Sequence, residues 1–98
     1  MLKYLKDHIL EEIDGAIDYM TKAVEHKGTS EGCTFRKMAE MELEHANALT
    51  HMFKDTEKPS DMSNEDYAAI QKAVLDKYIN AMTQIEAMKK IYWKNAAE

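Results

Sequence analysis

With 98 residues the chain makes one small domain, short enough that oligomerisation is an expected source of extra stability. Its 45% hydrophobic content, with only 3 glycines and 1 proline, suits long helices separated by two short breaks. A formal net charge of −5 argues against nucleic acid as the main partner; no apolar run is long enough to span a membrane, no N-terminal signal peptide is visible, and the single cysteine, Cys33, excludes an intramolecular disulfide and fits a reducing cytosol, so the expected location is cytoplasmic.

The first predicted helix covers roughly residues 3–27, with an apolar face of Leu5, Ile9, Ile13, Ala16, Ile17, Met20 and Val24. Lys27-Gly28 ends it, since glycine suits a left-handed C-cap, and Ser30 is the expected cap of the next helix. The second helix runs roughly over 31–56 and stops at Lys58-Pro59. The third starts near residue 63, where Ser63-Asn64-Glu65-Asp66 resembles a capping box, and continues to about 94. The short first connection predicts an antiparallel hairpin of helices one and two. Helix three carries a stripe of Ile70, Val74, Tyr78, Ala81, Ile85, Met88 and Tyr92, widened by Leu75, Ile79, Met82 and Trp93. That width predicts contact with two surfaces, one within the chain and one from a partner chain. Met20, Met38, Met52 and Met88 lie at core spacing, which favours gap-filling over copper or haem ligation.

In helix two, Phe35, Met38, Ala39, Ala46, Leu49, Met52 and Phe53 share one face, and Glu40, Glu44, Asn47 and His51 the opposite one. Glu42 and His45 fall on the apolar face, where a carboxylate and an imidazole are costly unless paired, hydrogen-bonded or bound to metal. Glu-x-x-His facing inward is the spacing used by di-metal carboxylate bundles. Helix one carries Glu12 inside its apolar arc, toward the edge with Tyr19 and Ala23. At about 1.5 Å per residue, Glu12 lies roughly 23 Å from the turn and Glu42 and His45 roughly 17–21 Å, nearly one height in an antiparallel hairpin. Two carboxylates and one imidazole make a hard, oxygen-rich site. One chain supplies half of a di-metal set, and a two-fold dimer would supply four carboxylates and two imidazoles, the two hairpins forming a four-helix bundle.

Glu12, Tyr19 and Ala23, followed by Phe35, Ala39, Glu42, His45 and Ala46, resemble one half of a ferritin-like domain of the rubrerythrin type. Members of that superfamily usually carry both halves in one chain; a single half followed by a further helix is similar to the encapsulated ferritins, whose di-iron centre is shared between subunits. The resemblance implies Glu12 and His45 as terminal ligands, Glu42 as a bridging carboxylate, two irons per homodimer, and oxidation of Fe(II) by oxygen or peroxide. Encapsulated ferritins reside in a protein compartment, but the polar segment Lys94-Asn95-Ala96-Ala97-Glu98 has no obvious targeting character. Manganese or zinc would fit the same ligands, zinc without redox chemistry. Tyr19 is a packed aromatic on the bland reading; on the functional one it donates a hydrogen bond to a ligand carboxylate or acts as a redox-active neighbour. His8, one turn before Glu12, is a flank residue, an extra ligand or an entry-site residue. The competing reading of the whole chain is a non-enzymatic helical assembly module, with Glu42 and His45 a buried polar pair that sets register.

Overall fold

The computed structural model describes residues 1–94, which form three α-helices: α1 (Leu2–Glu25), α2 (Ser30–Lys54) and α3 (Asn64–Lys94). Of the C-terminal segment considered for targeting, residues 95–98 lie outside the described residues. Each helix starts within one residue of its predicted bound; α1 stops two residues short of Lys27 and α2 two short of Thr56, and α3 ends at Lys94 as expected. The whole is a rod of 55 × 18 × 16 Å.

α1 and α2 are antiparallel neighbours across the turn at residues 26–29. Gly28 has φ +85°, the left-handed conformation that glycine adopts without steric cost, and it turns the chain back on itself. The cap of α2 is Thr29, not Ser30. Its backbone is extended and its Oγ1 accepts a 3.0 Å hydrogen bond from the Gly32 N–H, whereas Ser30 is already the first helical residue. At the start of α3, Ser63 Oγ accepts from the Asp66 N–H at 3.0 Å, the forward half of the expected capping box. Before it, Lys58 Nζ donates to the Met62 carbonyl at 2.6 Å and the Tyr67 hydroxyl donates to the Thr56 carbonyl, which hold the 55–63 connection against the end of the bundle.

The core runs along the hairpin in two patches. One gathers Leu2, Leu5, Ile9, Ile13, Ala46 and Phe53 with Val74 and Ala81 of α3. The other gathers Ala16, Met20, Ala23, Ala39 and Leu43 with Ile85 and Tyr92. α3 lies mainly along α1 and reaches α2 at its edge, where the Tyr78 hydroxyl donates to Asn47 Oδ1 and the Arg36 guanidinium stacks 5.0 Å from the Trp93 ring. The expected stripe of α3 is thus buried at Val74, Ala81, Ile85 and Tyr92, while Ile79 and Trp93, on its widened arc, are 60% and 50% exposed.

One helix-two assignment needs correcting, and one buried residue joins the face. Met52 is 52% exposed rather than core, and Leu43 is buried in its place. Both follow from where α3 sits: it covers the Arg36, Glu40, Leu43, Asn47 edge of α2 and leaves the opposite edge, through Met41, His45 and Met52, open.

Phe53 is the largest side chain with no exposed surface. Phe53→Ala should lower the free energy of unfolding by about 3–5 kcal/mol through lost burial and the remaining cavity. Urea titration followed by helical circular dichroism measures this, and a loss below about 1 kcal/mol would contradict the packing described.

Candidate metal centre

Glu12, Glu42 and His45 come together. Each can offer one ligand atom, and these atoms all lie within 4.8 Å of one another. The hairpin register does this: Glu12 sits midway along α1, and the antiparallel return brings the middle of α2 to the same level. His45 Nδ1 is 3.6 Å from Glu12 Oε2. Two donors bound to one ion at about 2.1 Å each lie about 3.0–4.2 Å apart for bond angles between 90° and 180°, so this pair is already at a chelating separation.

The depth of the three residues differs from the wheel. They border the core instead of pointing into it. Glu12 and Glu42 are half-buried, and the His45 side chain is 58% exposed. Even so, Glu12 Oε2 is buried and accepts no hydrogen bond, His45 Nδ1 standing just beyond that range at 3.6 Å. An acceptor in that state is costly unless something else meets it. The adjacent Glu12 carboxylate, within hydrogen-bonding reach, together with burial, pushes the Glu42 carboxyl up to about 7 from 4.5, while His45 pulls in the opposite sense. Two carboxylates this close favour a shared proton when no cation lies between them.

Tyr19 lies on the same side of α1, two turns beyond Glu12. It is half-buried, with its ring stacked 6.3 Å from Phe35 and the Lys22 ammonium 5.8 Å from both ring centres. No hydrogen bond joins Tyr19 to either carboxylate among the described residues. His8 stacks on Tyr4, with ring centres 4.3 Å apart, and its Nδ1 is 3.9 Å from the Glu11 carboxylate; it stands outside the trio. Cys33 lies near the Arg36 guanidinium, far along α2 from His45. One neighbour of the trio escaped the sequence reading. Gly15 faces Glu42 so closely that a Cβ there would stand 2.9 Å from Glu42 Oε2. Its signal was present in the sequence, as a glycine inside an otherwise regular helical pattern.

The Glu42 proton gives a pH dependence. A carboxyl whose pKa rises on folding holds its proton more tightly in the folded chain, so its stabilising effect is full below 4.5 and is lost as pH rises through about 7. The metal-free protein should therefore melt at a higher temperature at pH 5 than at pH 8, and Glu42→Gln, which keeps a neutral group in place, should flatten that slope. Thermal melts of both proteins in chelator decide it; equal slopes would remove Glu42 as the source.

No known protein-family model, curated protein or solved structure matches this chain, so its functional reading stands on the residues and their geometry.

Proposed function

We propose that this chain binds a divalent transition metal, iron first, through Glu12, Glu42 and His45, and that two chains pair on the site-bearing face to hold two irons in a ferritin-like four-helix bundle. The observation that carries the reading is the convergence of three donors around Glu12 Oε2, which is buried without a hydrogen bond and has His45 Nδ1 3.6 Å away. A cation there would satisfy that oxygen and replace the proton between the carboxylates. Two carboxylates and an imidazole suit Fe(II), Mn(II) and Zn(II). Three protein ligands leave positions open on any of these ions, and His45 faces outward, where a second chain can approach. On the same side, Tyr4, Met41 and Met52 are each more than half exposed, an apolar rim of the kind that a second copy would cover. α3 packs against the other side of the hairpin and does not obstruct it.

Bound iron would supply electron transfer to oxygen or peroxide, which makes the activity ferroxidase-type. Glu12, Glu42 and His45 would hold the iron, Glu12 and His45 in the roles the resemblance gives to terminal ligands and Glu42 in that of the shared carboxylate, and the carboxylates would balance its charge. Tyr19, two turns along α1 from Glu12, would be an aromatic flanking the centre and not a ligand. No described helix is long and apolar enough to cross a membrane, and the reading needs no membrane and no nucleic acid. The assembly-module alternative draws its support from α3, where Ile79, Ile91 and Trp93 are 60%, 49% and 50% exposed.

The test is anaerobic loading of apo protein with Fe(II), desalting, and measurement of iron per chain alongside the mass of the particle. The expected result is about one iron per chain in a dimer or larger assembly. Iron should also raise the thermal midpoint, and Glu42→Ala should abolish that rise. Negligible iron retained, with no change in midpoint, would leave the assembly reading.

A further inference from the structure

We propose that Gly15 is a positioning residue for Glu42: the side chain missing from α1 opens the niche in which the Glu42 carboxylate rests beside Glu12. Its functional consequence rests on the metal-site reading above; its geometry does not. The three heavy atoms nearest to a Cβ built at Gly15 all belong to one side chain, Glu42 Oε2 at 2.9 Å, Cδ at 3.4 Å and Cγ at 3.7 Å. A real Cβ does not tolerate a 2.9 Å approach, so with alanine at 15 the carboxylate has to shift.

Nothing in the backbone asks for glycine here. Gly15 lies in the middle of α1, and the chain's positive φ is at Gly28. A helix-interior glycine is disfavoured relative to alanine, so helix propensity works against it. Its position explains it. Gly15 is three residues after Glu12 and shares its side of the helix. The Glu42 side chain crosses from α2, lies over the bare backbone, and so reaches the level of Glu12 and His45. The atom that would clash is the end of a flexible chain, so displacing it costs the fold little. What changes is where the carboxylate stands.

That separation gives the test. Gly15→Ala should melt at or above the parent's temperature, while the 13C resonance of the Glu42 carboxyl carbon, in metal-free protein at fixed pH, moves from its parent position. Co(II), used as a visible probe, should bind about tenfold more weakly or worse, with an altered absorption spectrum. Glu42→Asp withdraws the carboxylate by one methylene and clears the added methyl. Adding Gly15→Ala to Glu42→Asp should then cost no further Co(II) affinity. An unmoved carboxyl resonance, or the same loss from Gly15→Ala in both backgrounds, overturns the niche. If the parent itself binds no Co(II), the metal-site reading fails instead, and the resonance alone decides the niche.

Discussion

The register between α1 and α2 is the constraint on which the rest of this structure depends. It is set at one end, where Gly28 takes a conformation open to glycine and Thr29 caps α2 within a single residue. From there the two helices run back along each other with no irregularity to absorb error. A shift of one residue in either helix moves a side chain about 1.5 Å along the axis and about 100° around it. Such a shift would bury a different set of residues and separate Glu12 from Glu42 and His45. The apolar residues of the hairpin and its polar trio therefore depend on the same alignment, and the core enforces the site.

The hairpin has two faces with different duties. Toward α3 it buries Ile9, Ile13 and Ala46 in one patch and Ala16, Ala39 and Leu43 in another. Toward the open side it presents two acids whose mutual repulsion is relieved by a proton on Glu42. A proton and a metal ion compete for the same oxygens, because a carboxylate must release one to hold the other. The pH sensitivity of the hairpin thus sits on its open face, at Glu42, and not on the apolar face toward α3.

Helix boundaries, the hairpin and the membership of the trio were legible because each depends on periodicity or on chain length from a turn. Glu12, Glu42 and His45 could be brought to one height by counting residues from Gly28. Depth was not legible in the same way. A helical wheel reports the direction of a side chain but not which neighbour covers it: Met52 shares the wheel's apolar face yet is exposed, and Leu43 is buried because α3 covers its edge. His45 is exposed for the same reason. The choice of Thr29 over Ser30 as cap turned on one backbone angle that two adjacent hydroxyl residues do not distinguish. The fit of Glu42 against Gly15 required atomic positions on two helices at once, although a glycine in mid-helix was a visible oddity.

The shortness of the turn at residues 26–29 bears also on the order in which the molecule forms. Contacts between α1 and α2 close a small loop, whereas those between α1 and α3 must first bring together segments separated by the whole of α2. Closing a longer loop carries a larger entropic penalty, and local contacts form sooner. The contacts of the hairpin therefore carry the smaller loop-closure penalty, and those of α3 the larger one. Glu12 and Glu42 belong to those shorter-range contacts, since both lie on the hairpin.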